Sequence, residues 1–81
     1  MATLIKVNGE TETIEDISLK SLQTLVGGFI EMYPCLDGKL MIMNEEGRLV
    51  GYKYNAKASK LAGVTIVGDV VVLDKVEVVL E

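Results

Sequence analysis

SLKSLQTLVGGFIEMYPCLDGKLMIMNEEG, residues 18–47, reads as a helix followed by a tight pair of strands. Leu19, Leu22, Leu25 and Val26 recur at helical spacing and form one apolar stripe. Ser18 stands where an N-cap belongs. Gly27 and Gly28 stop the helix, the first in the left-handed conformation. A helix of about nine residues is marginal on propensity alone, so packing must hold it. FIEMYP then reads as a strand that Pro34 ends or places at an edge. Asp37-Gly38 supplies a hairpin turn, and KLMIM is the return arm. Glu31 lies between Ile30 and Met32, so it faces away from the side they occupy.

Outward from this unit the signals stay closely spaced. Upstream, TLIKV and ETETIEDI flank Asn8-Gly9, a two-residue hairpin signal because both positions accept positive φ. Downstream, RLVGYKY reads as a short strand. NAKASKLAG reads as a second short helix, capped by Asn55 and stopped by Gly63. VTIVGDVVVL is a strong strand signal, interrupted at Gly68-Asp69 by a tight turn or bulge. DKVEVVLE reads as a return arm through Asp74-Lys75 or as an edge strand. The order is β-β-α-β-β-α-β with one or two further strands, and no long crossover helix intervenes. That pattern predicts the α+β class, in a single domain over residues 1–81. The sheet is expected to be antiparallel or mixed, with both small helices on one face.

A chain of 81 residues has a thin core, burying only about 60–65% of its unfolded surface. Yet 49% of its residues are apolar and its mean hydropathy is +0.36. The excess predicts a second buried face and hence a homo-oligomer, a dimer favoured. The Val-rich VVVLDKVEVV, unsafe if exposed, is expected to pair with the same strand of a second copy, the preferred dimer interface, or to pack in the core.

The net charge of −4 and pI near 4.7 argue against direct nucleic-acid binding, which needs clustered cations. The charge is uneven. Residues 39–60 carry five cations against two carboxylates, between acidic flanks. There is no histidine, and Cys35 is the only cysteine. This excludes an intrachain disulfide, a Cys/His zinc site and the histidine-dependent nucleophilic triads. Cys35 itself, beside Pro34 and without nearby positive charge, reads as structural. No run approaches a membrane span, and the first residues lack a signal-peptide core, so the expected location is cytoplasmic.

The polar stretch MNEEGRLVGYKYN, residues 43–55, holds most of the candidate site residues. Glu45 and Glu46 are adjacent and fall in a turn, a poor arrangement for acid–base work. Too few oxygen ligands accompany them for a hard cation, and no metal or cofactor is expected. With Glu31 they are candidates for ion pairing or partner contact; Glu31 would meet Arg48, a lysine or an arginine of a partner. The start of the second helix offers N–H groups to an anion. Asn55 caps it, and Lys57 and Lys60 lie within it. Tyr52 and Tyr54 share a face of the preceding strand, with Arg48 upstream. Together these six residues would suit a nucleotide.

Leu22-Gln23, Val26-Gly27-Gly28, Ile30-Glu31, Asn44-Glu45-Glu46-Gly47, Asn55 and Gly68-Asp69 together carry a resemblance. Over residues 18–73 the chain resembles the family catalogued as domain of unknown function 3846, small proteins of phages, plasmids and their bacterial hosts. The segment between Gly51 and Asn55 is more aromatic and basic than the family pattern. The resemblance brings no established activity. It implies a mobile-element setting and a host-modulating or counter-defence role. The reading that results is a non-enzymatic binding protein acting on a host protein or defence system. The alternative is a homo-oligomeric sponge for a nucleotide signal.

Overall fold

The computed structural model describes residues 2–74. Seven elements follow in chain order: β1 (Ala2–Ile5), β2 (Thr11–Ile14), α1 (Leu19–Val26), β3 (Ile30–Pro34), β4 (Leu40–Asn44), α2 (Ala56–Ala62) and β5 (Val70–Leu73). The strands form one antiparallel sheet in the order β2-β1-β5-β4-β3. The α+β class and the element order are those expected from the sequence. The DKVEVVLE strand falls, beyond Asp74, outside the described residues.

Both hairpins close by one device. Gly9 N–H donates to Lys6 C=O at 2.9 Å, and Lys6 N–H to Glu10 C=O at 2.9 Å. Gly38 N–H donates to Cys35 C=O at 3.1 Å, and Cys35 N–H to Lys39 C=O at 2.8 Å. Gly9 and Gly38 have φ of 93° and 88°, while no described non-glycine residue has positive φ. Each loop is therefore a three-residue type I turn ending in a left-handed glycine, not the two-residue turn expected from Asn-Gly. Asn8 and Asp37 stay at negative φ for a reason. Their Oδ1 atoms accept the N–H of Glu10 at 2.9 Å and of Lys39 at 3.1 Å.

The helices lie on opposite faces of the sheet, not on one. Successive strand residues point to opposite sides, and the core divides accordingly. Val71, Leu73, Ile42 and Leu4 pack with Leu22 and Val26 of α1. Val70, Val72, Met41 and Ile5 pack with Ala58 and Ala62 of α2. β5 is the central strand, hydrogen-bonded on both edges and buried at all four positions. It cannot pair with a second copy, so the expected dimer interface fails for residues 70–73. The apolar excess goes instead to the second face, which the chain covers with its own α2.

RLVGYKY is not a strand. Residues 45–51 run in consecutive turns, closed by Val50 N–H to Glu46 C=O at 3.0 Å and Tyr52 N–H to Gly47 C=O at 3.0 Å. Only Tyr54 makes a bridge, to Val67. Leu49 and Val50 gave the segment its strand-like pattern, but β3 already forms the sheet edge on that side, and both side chains are exposed.

Candidate functional site

The quoted polar stretch leaves β4 at Asn44 and enters α2 at Asn55, and these two asparagines hold it. Asn55 is 1% exposed and fully engaged. Its Oδ1 accepts Ala58 N–H at 3.0 Å, capping α2. Its Nδ2 donates to Ile5 C=O at 3.0 Å and Gly68 C=O at 2.8 Å. One side chain thus ties the helix start to the end of β1 and to the turn before β5. Ser59 adds to the tie, donating to Asn55 C=O at 2.7 Å and accepting Ile66 N–H at 2.8 Å. Asp69 accepts Val7 N–H at 2.9 Å beside it.

Asn44 does the same work at the other end. Its Nδ2 donates to Val26 C=O at 3.1 Å and to the Tyr52 hydroxyl at 3.4 Å. Its Oδ1 accepts Glu46 N–H at 2.7 Å. Tyr52 is half-buried and lies against glycines from separate segments. A Cβ on Gly68 would stand 2.6 Å from its Cδ2, and one on Gly27 2.5 Å from its hydroxyl oxygen. The ring closes this end of the molecule because those two positions lack side chains. The residues that carry the family resemblance therefore meet here as a scaffold: Gly27, Asn44, Gly47, Asn55, Gly68 and Asp69. The side-chain bracing by Asn44 has no local signal in the sequence.

What the scaffold holds up is a loop, residues 45–51, with exposed apolar side chains. Leu49 is 86% exposed and Val50 57%. Phe29, just after α1, is 71% exposed. Val50 and Phe29 line one hollow of about 400 Å³ with Tyr52 and Glu46. Leu49 and Val64 line a cleft of about 230 Å³ on the other side of the loop, with Tyr33, Met43, Glu31, Glu45 and Arg48.

The six residues expected to hold a nucleotide do not converge. Arg48 lies in the second cleft, its Nη2 donating to Thr65 C=O at 2.8 Å. Lys57 reaches the β1–β2 turn and donates to Gly9 C=O at 3.0 Å. Tyr54 and Lys60 line a shallow hollow beside α2. Tyr52 is on the α1 side, so the tyrosines share no strand face. Asn55 has no free hydrogen-bonding group to offer. Glu31 and Arg48 share a cleft, but no ion pair joins them. Glu31 and Glu45 make no side-chain hydrogen bond or ion pair among the described residues. No group of three or more His, Cys, Asp or Glu among the described residues could hold a metal ion.

Among the described residues, Lys6, Asp16 and Cys35 are displaced from their ordinary values. Burial pushes the Cys35 thiol up; Asp37 adds to this and Lys39 opposes it. Cys35 is thus an inert thiol in the α2-side core. Lys6 is raised, first by its hydrogen bond to Glu12, whose oxygen lies 3.1 Å from Nζ. Asp16 is lowered by accepting Ser18 N–H at 3.0 Å ahead of α1.

Fold and site together define a small, two-sided α+β domain that presents a braced apolar loop. Residues 1–77 match the model for the Domain of unknown function (DUF3846), and the chain belongs to that family. No curated protein and no solved structure matches the chain. No helix among the described residues is long and apolar enough to cross a membrane.

Proposed function

We propose that the chain is a non-enzymatic binding protein of a mobile genetic element, which modulates a host protein by occupying it through the 45–51 loop. One observation carries this reading. Phe29, Leu49 and Val50 stand exposed around a loop that the half-buried Asn44 and the buried Asn55 hold in place. Phe29 and Val50 lie on one side of the loop and Leu49 on the other, and exposed apolar groups concentrated on one loop mark contact surfaces. Holding them on a fixed backbone reduces the ordering cost of binding. Glu31 and Glu45 line the cleft on one side of the loop together with Arg48, and Glu46 lines the hollow on the other, so carboxylates outnumber cations beside the exposed apolar groups. Such a surface favours a partner with basic groups around an apolar patch and speeds their encounter at low salt. The mobile-element setting rests on the family resemblance.

The sponge reading draws on six residues that lie on separate faces, and no feature of the structure favours it. Photocrosslinking in cells tests the docking reading. A benzoylphenylalanine at position 49 should yield one discrete crosslinked polypeptide. The same group at position 13, on the opposite edge strand β2, should yield none. Absence of a product from position 49, with the protein folded and abundant, would contradict it.

A further inference from the structure

We infer that the cleft between the 45–51 loop and the 64–67 segment receives an arginine side chain of the partner protein. The inference rests on the docking reading and names the partner chemistry of one half of that surface. The cleft has apolar and aromatic walls, from Met43, Leu49, Val64 and Tyr33, and two carboxylates, Glu31 and Glu45. Neither carboxylate has a hydrogen bond or ion pair among the described residues, so both can accept from an incoming donor. Arg48 does not satisfy them, because its guanidinium donates to Thr65 C=O. With Arg48 counted, the cleft still carries one net negative charge.

Its volume of about 230 Å³ lies below the roughly 300–1,000 Å³ of ordinary small-molecule sites. It suits one long side chain better than a nucleotide. An arginine fits each feature. Its methylene stem lies against apolar walls. Its planar head stacks on an aromatic ring and donates to two carboxylates at once. A lysine offers a compact point charge and uses the ring and the paired acceptors less well.

The test is a titration of the ¹³C-methyl-labelled protein with N-acetyl-arginine methylamide, followed by NMR. The methyl signals of Met43, Val64 and Val67 should shift in a saturable manner. The uncharged citrulline analogue should leave them in place. Glu31→Gln combined with Glu45→Gln, both at exposed positions, should weaken the response at least about tenfold. Arg48→Ala should leave it unchanged or strengthen it. Equal shifts from citrulline or from the lysine analogue, or indifference to the double variant, would overturn the assignment. Crosslinking from position 49 without any response to the arginine amide would remove the cleft assignment and leave the docking reading standing. Arginine binding without a crosslinked polypeptide would instead remove the docking reading, and with it the partner as the arginine's source.

Discussion

At the scale of single residues, Asn55 and Tyr52 support the loop. Asn55→Ala leaves Ile5 C=O, Gly68 C=O and Ala58 N–H without their partner, two of them interior carbonyls. The expected loss is about 3 kcal/mol, the sum of a lost cap and unsatisfied buried groups. Asn55→Asp should cost more. A carboxylate can still cap Ala58, but it sets a negative charge against two carbonyls it cannot donate to. Urea unfolding of both variants checks the order. Tyr52→Phe removes one long hydrogen bond and should cost under about 1 kcal/mol. Tyr52→Ala should cost about 2–3 kcal/mol, because the half-buried ring fills space that the glycines leave open. Cys35 lies in the core, and its thiol is pushed up by burial. Its reaction with a disulfide reagent at pH 8 should be slower than in the unfolded chain by about tenfold or more, released only on opening. Little of this was legible in the sequence. Asn55 was read correctly as a cap, but capping uses only its oxygen. The nitrogen's two distant carbonyls lie 50 and 13 residues away, and no local pattern announces them. The same holds for Tyr52, whose glycine partners come from other segments.

At the scale of elements, the local rules served well where the chain is locally determined. Ser18 caps α1 through its side chain, and Gly27 and Gly63 end the helices at φ of 88° and 80°. Ser18→Ala should therefore cost about 1 kcal/mol, read as a lowered midpoint in thermal unfolding. Asp16 adds a pH dependence to the same helix entrance. Its pKa is lowered in the folded state. Its contribution is present above the ordinary aspartate range and is lost as pH falls through the folded value. Asp16→Asn should thus lower stability by a constant amount at neutral and alkaline pH and flatten its fall on the acid side. Lys6 works in the opposite sense. Raised by Glu12, it contributes below the ordinary lysine range, and that contribution is lost as pH rises through the folded value. RLVGYKY misled for a physical reason. Apolar residues in a short run look alike whether a core or a partner covers them, and Leu49 and Val50 face outward. The segment that failed as a strand is the one we propose as a contact surface.

At the scale of the whole molecule, the apolar composition has an explanation within one chain. The sheet is covered on both faces, by α1 and α2, so a single copy buries both sides of β5. The unbroken run Val70–Leu73 carries this signal, since a strand buried on both faces need not alternate. The side taken by each helix is set by how the connections cross the sheet, which periodicity does not encode. A self-sufficient fold of this kind should unfold at a temperature independent of protein concentration over a hundredfold range, where an obligate dimer would shift. The central claim is that the braced loop docks on another protein and does not assemble a ligand site. Native mass spectrometry of the protein, purified gently from the cells that carry it, tests this most directly. The predicted result is a complex with a second, different polypeptide, lost when Leu49 and Val50 are both changed to Asp while the chain stays folded. A complex-free chain, or a homo-oligomer carrying a nucleotide-sized extra mass that survives those changes, would contradict it.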